Sequence, residues 1–207
     1  MPELQHSPET RQRLLEAAGA VFAEHGFHDT TIREISLRAE ANVAAVNYHF
    51  GDKAALYRAV FDYARNCAGV PQEERLPAGA GPAEELYAIV HAFLQRFFAE
   101  GRPAWLGKLA AREMTEPTKL LDSLVEERIR PTHERLKGIA RELLGPTADE
   151  ERLRLAAFSI AAQYQFYFHC QTVVARLCPE LRFGPAEIER LARHITDFSL
   201  AALREGW

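Results

Sequence analysis

Side chains that can recognise another molecule are concentrated in a short segment around residue 45. On the helix predicted over residues 42–48, one face combines small residues with polar groups. We expect the outward-facing residues to be Asn42, Ala44, Ala45, Asn47, Tyr48 and His49. Small residues allow a helix to approach a groove closely, and amide, phenol and imidazole groups can bond to base edges and phosphates. This pattern predicts a helix that reads double-stranded DNA.

Other helices must support this segment, because two short helices joined by a turn bury too little surface to be stable alone. The first is expected to start with Ser7 as N-cap and Pro8 at its first position, and to end at Gly26. The helices of this region are predicted over residues 8–25, 32–39, 42–48 and 52–66. Their common core is expected to contain Phe22, Phe27, Ile32, Ile35, Val43, Val46, Phe50 and Leu56.

The composition changes after the fourth helix. Residues 69–82 are rich in Gly and Pro and have no apolar period, which predicts a linker or mobile loop. Further helices are predicted over 83–100, 103–114, 118–144, 149–178 and 186–204. Pro131 is expected to kink or split the third of these. The chain is therefore expected to be an all-α protein of about nine helices, with a DNA-binding domain at 1–66 and a ligand-binding and dimerisation domain at 67–207.

Bulk properties exclude several classes of protein. The 207 residues are 47% hydrophobic and 26% charged, as in an ordinary globular protein. The polar N-terminal residues lack the apolar core of a signal peptide, and no apolar run reaches the roughly 18 residues of a spanning helix, so a cytoplasmic location is expected. The three cysteines contain no C-x-x-C pair, which argues against a disulfide framework, and neither a metal nor a cofactor is expected.

Net charge gives no support to DNA binding. The formal total is −4, and residues 1–65 contain fewer Lys and Arg residues than Asp and Glu residues. Proteins that bind nucleic acids often carry a basic excess, because phosphate contacts release counterions. The DNA-binding hypothesis therefore depends on local geometry.

Residues 31–57 carry the pattern T-x-R-E-I-S … A … V-N-Y-H-F-G-D-K-x-x-L-Y, which resembles the TetR family of transcriptional regulators. The resemblance implies a homodimer that binds palindromic operator DNA and is released by a small-molecule effector. Repression is favoured over activation, since blocking a promoter needs no further contacts. For the DNA, the resemblance implies a phosphate anchor at Thr31, base contacts by Ala44, Ala45 and Asn47, backbone or sugar contacts by Tyr48 and His49, and added positive charge from Lys53.

One residue departs from the family pattern. Members usually have Gly in the turn between the second and third helices, where this chain has Glu40. A non-glycine residue in a left-handed conformation costs about 1 kcal/mol. We expect the turn to persist, and the acidic group near phosphate to change affinity or specificity.

The helix predicted over 149–178 is apolar or aromatic around most of its circumference, so more than one of its sides should be buried. We expect it to pair with the last helix and their twofold mates in a four-helix dimer interface. The interface residues are expected to be Ala156, Ala157, Ile160, Ala161, Tyr164, Ile188, Leu191, Ile195 and Phe198. The alternative is a monomer in which both helices fill one core.

An aromatic excess in the C-terminal part suggests a pocket for an apolar or partly aromatic effector. The expected ligand-binding residues are Phe93, Phe97, Phe98, Trp105, Arg112, Tyr164, Phe168 and His169. The alternative is that these aromatic residues are plain core. Residues 112–145 are also similar to the CecR/YbiH-like subgroup of the TetR family, through E-x-T-E-P-T and a later I-x-P.

Three alternatives to a ligand-controlled regulator remain. An all-helical enzyme lacks support, because no G-x-S-x-G, H-E-x-x-H or glycine-rich phosphate loop is present, and Glu113 and Glu116 are expected at a solvated helix end. A DNA-binding protein controlled by a protein partner would show an exposed apolar patch and a filled body. A metal sensor would use His169, Cys170 and Cys178, whose spacing is poor for ligation.

Overall fold

The computed structural model describes residues 7–67 and 79–205, which form helices joined by short turns and contain no strand. The helices are α1 (Pro8–Asp29), α2 (Ile32–Arg38), α3 (Val43–Phe50), α4 (Lys53–Cys67), α5 (Pro82–Phe98), α6 (Leu106–Thr115), α7 (Lys119–Leu124), α8 (Arg130–Leu144), α9 (Glu150–His169), α10 (Gln171–Leu177) and α11 (Pro185–Glu205). The all-α prediction is confirmed. Most of the predicted linker at 69–82 lies outside the described residues. Among the described helices, none has the length and apolar character needed to cross a membrane.

The described residues form two compact units that are not consecutive in sequence. The first, called the head unit here, combines the residues up to Cys67 with Gly101–Asp122. The second is called the body unit here. Its described residues are 79–100 and 123–205. The head unit thus contains α6, which follows α5 of the body unit along the chain. A functional boundary near residue 66 stays a prediction.

The core of the head unit is built around α1, which packs against α2, α3, α4 and α6. Leu14, Leu15 and Phe22 of α1 are completely or almost completely buried. The predicted core residues that are fully buried are Phe22, Ile35, Val46 and Leu56. The predicted core residues that are half-buried are Phe27, Ile32 and Phe50. Packing of these side chains stabilises α2 and α3, which bury too little surface against each other to be stable alone.

A glycine in α1 allows α6 to approach closely. A Cβ atom on Gly19 would lie 2.2 Å from Cε2 and 2.3 Å from Cζ2 of the Trp105 indole. The indole therefore occupies the space that any other side chain at position 19 would need. Leu109, one turn further along α6, is completely buried and extends this contact surface.

The core of the body unit is formed by α5, α8, α9 and α11. Its fully buried side chains include Leu86, Leu94, Leu136, Leu153 and Ile195. The single helix predicted over 149–178 is wrong, because Cys170 adopts φ −103° and ψ 24° and separates α9 from α10.

Pro131 lies at the start of α8, where a π-helical turn, Val125–Ile129, precedes the helix. Proline has no N–H to continue the α-helical hydrogen-bond ladder, so a local change of winding is the expected accommodation.

The turn between α2 and α3 confirms the conformation predicted at Glu40. This residue has φ 50°, which makes it the one non-glycine residue with positive φ in the described chain. The N–H of Glu40 bonds to the Leu37 carbonyl at 3.2 Å, and the N–H of Ala41 bonds to the Ser36 carbonyl at 2.9 Å. This pair of bonds is the Schellman motif, which ends a helix with a left-handed residue.

Glu40→Gly is expected to raise the free energy of unfolding by about 0.5–1 kcal/mol, because glycine has no Cβ to strain the left-handed turn. Urea unfolding monitored by circular dichroism measures the change. Glu40→Ala is the matched control, since it removes the charge but retains the Cβ. Equal stabilisation by both variants would mean that charge, and not backbone strain, limits stability at this turn.

Candidate nucleic-acid interface

Side-chain caps hold the start of both short helices. The hydroxyl of Thr31 accepts a hydrogen bond from the Glu34 N–H at 3.2 Å at the start of α2. The side-chain oxygen of Asn42 accepts from the Ala44 N–H at 3.0 Å at the start of α3. Each cap satisfies a backbone donor that the first turn leaves without an intrahelical partner. Thr31 and Asn42, predicted from the sequence to contact DNA, therefore also define where these helices begin.

The exposed face of α3 differs from the predicted one by an exchange of two residues. Ala45 is 1% exposed and contributes to the core together with Val46, whereas Val43 is 41% exposed. The predicted outward position of Ala45 and inward position of Val43 are both wrong. Successive helical residues are rotated by about 100°, so the side that contains Val46 also contains Ala45.

The exposed residues of α3 form one surface, called the reading face here, which consists of Val43, Ala44, Asn47 and Tyr48. Tyr48 has 65% of its surface exposed, more than the 41% of Val43. His49 is half-buried beside the reading face, with its ring 5.1 Å from that of Tyr48.

The end of α3 and the start of α4 are fixed by cationic side chains. The guanidinium of Arg11 lies 5.2 Å from the centre of the Phe50 ring. The ammonium of Lys53 donates to the carbonyl oxygens of Thr30 at 2.9 Å and His28 at 3.3 Å, and it lies 4.6 Å from the centre of the Phe27 ring. Lys53, predicted to add charge for DNA, thus also ties α4 to the turn between α1 and α2.

A buried carboxylate connects α4, α6 and the start of α7. Glu113 is 0% exposed, so its predicted position at a solvated helix end is wrong. One carboxylate oxygen accepts from the Tyr57 hydroxyl at 2.7 Å, and the other accepts from the backbone N–H and hydroxyl of Thr118 at 2.8 and 2.9 Å. Burial, reinforced by the hydrogen bond to Glu113, raises the pKa of Tyr57 above its ordinary value. Tyr57 and Glu113 are 56 residues apart in the sequence, which explains why periodicity did not reveal their bond.

Two residues predicted to bind a ligand are engaged with α1 in the head unit. The indole of Trp105 covers Gly19, and the guanidinium of Arg112 donates to the Glu24 carbonyl at 3.1 Å. Arg112 also bonds to Glu116 at 3.0 Å. Its contact with α1 satisfies a carbonyl just before Gly26, whose φ of 82° interrupts the helix.

Four other residues predicted to bind a ligand form one aromatic cluster in the body unit. Phe93 and Phe97 of α5 contact Tyr164 and Phe168 of α9, with ring centroids 4.5 Å apart for Phe93–Tyr164 and 4.2 Å apart for Phe97–Phe168. This aromatic cluster lies between two helices of the body core.

The two remaining predicted ligand residues lie beside the aromatic cluster or apart from it, and the His169 ring lies 4.7 Å from that of Phe168. Phe98 stacks on Phe183 at 4.1 Å, and His169 is exposed at the end of α9. Across residues 7–67 and 79–205, no group of three or more His, Cys, Asp or Glu side chains is placed to hold a metal ion.

Comparisons with known proteins match both parts of the chain. Residues 14–60 match the family of bacterial regulatory proteins of the tetR type, and residues 82–203 match the C-terminal domain of the HTH-type transcriptional dual regulator CecR. The CecR regulator of Shigella flexneri is 28% identical over 165 residues, which cover 75% of this chain and 74% of the relative. The BetI regulator of Agrobacterium fabrum is 28% identical over 135 residues, which cover 63% and 64%.

Solved structures share the fold. The fatty acid degradation regulator FadR of Bacillus halodurans superimposes with a TM-score of 0.66 at 16% identity and covers 93% of this chain and 99% of its own. The TetR family regulator PfmR of Thermus thermophilus gives 0.61 at 21% identity, covering 91% and 97%. These proteins are regulators and not enzymes. The chain therefore belongs to the TetR family of transcriptional regulators, with an N-terminal helix-turn-helix that binds DNA and a C-terminal domain of the CecR type.

Proposed function

We propose that the protein is a cytoplasmic, homodimeric repressor that binds palindromic operator DNA and is released by a small apolar or partly aromatic effector. The observation that carries the proposal is the reading face of α3, which is exposed on a helix capped by Asn42 and backed by the head core. Repression is supported by the BepR repressor of Brucella suis biovar 1, which is 38% identical over 99 residues covering 45% of this chain. Blocking a promoter also requires no contacts beyond those with DNA.

In this proposal α3 enters the major groove of each half-site. Two copies related by a twofold axis would place their α3 helices about 34–36 Å apart, one turn of DNA. Asn47 and Ala44 then face base edges, while Tyr48 and His49 contact the sugar-phosphate backbone. Thr31 and Lys53 flank α3 and contact phosphates. Such phosphate contacts position the protein on DNA without reading its sequence.

The dimer would be formed by exposed apolar residues of α9 and α11. The residues predicted for this interface are largely buried within a single protomer, including Ala156, Ala157, Ile160 and Ile195, so they belong to its own core. Phe198, which was also predicted for this interface, is exposed, and so are three further apolar residues of α9: Leu155, Phe158 and Phe166. Exposed apolar surface of this kind is typical of association sites, so we assign the twofold contact to these four residues.

The effector would bind at the aromatic cluster of Phe93, Phe97, Tyr164 and Phe168 by separating rings that now contact each other. Trp105 and Arg112 are not included, because both are engaged with α1. The AibR regulator, solved with isovaleryl coenzyme A and operator DNA, shares the fold with a TM-score of 0.61 at 17% identity and so gives a precedent for both ligands on one chain. A coupling of about 1–3 kcal/mol would weaken operator binding by about 5- to 150-fold.

Selection of duplexes from a random DNA pool tests the DNA-binding proposal. At an ionic strength of about 0.1 M, where phosphate contacts remain effective, the protein is expected to enrich a palindrome. Asn47→Ala combined with Tyr48→Ala is expected to abolish enrichment, because it removes both polar groups of the reading face. Thr115→Ala, an exposed head-unit change away from α3, is the control and is expected to enrich the same palindrome. A folded dimer that enriches nothing would contradict the proposal.

A second candidate is control by a protein partner instead of a small molecule. The exposed Phe158, Phe166 and Phe198 together with the mutual packing of the aromatic cluster favour it. The selected operator separates the two candidates. Release of the operator by apolar small molecules, lost on Phe97→Ala, supports an effector, whereas a monomeric protein with no such response supports a partner that covers the exposed residues.

A further inference from the structure

The reading face has a chemical composition that bears on which bases it can select. Its four residues, Val43, Ala44, Asn47 and Tyr48, include no charged side chain. In the major groove, guanine is read mainly by Arg or Lys and cytosine by Asp or Glu, whereas adenine is read by Asn or Gln and the thymine methyl group by apolar contact. The reading face therefore contains groups suited to A·T base pairs and lacks those suited to G·C base pairs.

Asn47 has the right placement to read adenine. It lies on the exposed side of α3, and its backbone carbonyl already accepts the Gly51 N–H at 2.9 Å. Its side-chain amide carries one donor and one acceptor group, which match N6 and N7 of adenine. Asn42 is less suited, because its side-chain oxygen is engaged with the Ala44 N–H.

Val43 is an exposed apolar residue one helical turn before Asn47. It is the first residue of α3, and 41% of its surface is exposed. Its branched side chain has little rotational freedom, so ordering it on DNA costs little entropy. Four helical residues rise about 6 Å, which corresponds to one or two base-pair steps of about 3.4 Å.

We propose that the reading face selects A·T base pairs, with Asn47 bonded to an adenine and Val43 in contact with the C5-methyl group of a thymine one or two base pairs away. This inference rests on the proposed function, because it requires α3 to lie in the major groove. It adds Val43 as a specificity-determining residue, which helical periodicity had assigned to the core.

Replacing single thymines by deoxyuridine in the selected operator tests the inference, since deoxyuridine lacks the C5-methyl group and pairs identically. Affinities are measured by fluorescence anisotropy at fixed ionic strength for the unmodified protein, Val43→Ala and Leu37→Ala. At one thymine in each half-site, the unmodified protein is expected to lose about fourfold in affinity per half-site, the value of one buried methyl group. Val43→Ala is expected to show no further loss at that thymine.

Leu37→Ala is the matched control, because Leu37 is an apolar residue of α2 that is 80% exposed and lies outside the reading face. It is expected to retain the fourfold response to deoxyuridine. A consensus with G·C pairs opposite α3, or a deoxyuridine response that persists in Val43→Ala, would overturn the assignment while leaving operator binding intact. Failure to select any duplex would instead overturn the proposed function, and this inference with it.

Discussion

Glu113→Ala is expected to lower the free energy of unfolding by about 3–5 kcal/mol. The substitution removes both carboxylate oxygens from a completely buried position, so the Tyr57 hydroxyl and the Thr118 N–H lose their acceptor. Each buried donor left without a partner costs about 1–3 kcal/mol, and the cavity left by the side chain adds to this. The loss should be large because the same carboxylate connects α4, α6 and the start of α7.

Urea unfolding monitored by circular dichroism measures this effect, and two variants separate its causes. Glu116→Ala changes the same residue type three positions later, where 57% of the side chain is exposed, and is expected to cost less than about 1 kcal/mol. Glu113→Gln preserves the volume and one acceptor, so an intermediate loss is expected. If Glu113→Ala and Glu116→Ala were equally mild, the buried hydrogen-bond network would not exist in solution.

Gly19→Ala is expected to destabilise the protein by about 1–3 kcal/mol, although alanine is the better helix former by about 1 kcal/mol. The added methyl group would lie well inside contact distance of the Trp105 indole. An indole is rigid, so the clash can be relieved only by shifting the ring and the start of α6 with it. The cost of overpacking should therefore exceed the gain in helix propensity.

Gly138→Ala is the matched control for this prediction. Gly138 also lies inside a helix, α8, but a Cβ atom there would have nothing within 4 Å. Thermal unfolding is expected to show a lower Tm for Gly19→Ala and a higher Tm for Gly138→Ala. Trp105→Leu added to Gly19→Ala should recover part of the loss, since a smaller side chain leaves room for the methyl group. A higher Tm for both alanine variants would rule out the close contact between α1 and α6.

Much of the head unit could be predicted from the sequence because its signals are local. Ser7 was identified as a helix cap from residue type and position, and its side chain accepts the corresponding hydrogen bond from the Thr10 N–H. The left-handed turn at Glu40 followed from the resemblance to the TetR family, whose members usually have Gly at this position. Such features depend on neighbours within four or five residues, which the sequence displays directly.

The features that were predicted wrongly depend on contacts between residues distant in the sequence, or on a small rotation of a helix about its axis. In an eight-residue helix, few apolar positions define the buried side, so Val43 and Ala45 were exchanged. Glu113 is a polar residue in α6, where polar and apolar residues are mixed. Its partner Tyr57 is 56 residues away in the sequence. Trp105 and Arg112 resembled pocket residues, since no local pattern indicates which compact unit α6 joins.

The late position of α6 has a consequence for the order in which the protein is made. A ribosome releases α1 to α4 first, whereas Trp105 and Glu113 are added only when about half of the chain has been synthesised. Until then the surface of α1 at Gly19 and the hydroxyl of Tyr57 lack the partners that they have in the final structure. The nascent head therefore carries uncovered apolar surface through translation of α5, a stage at which chaperones bind and misfolding begins. A gene fragment that stops after α4 would leave the head in that unfinished state permanently.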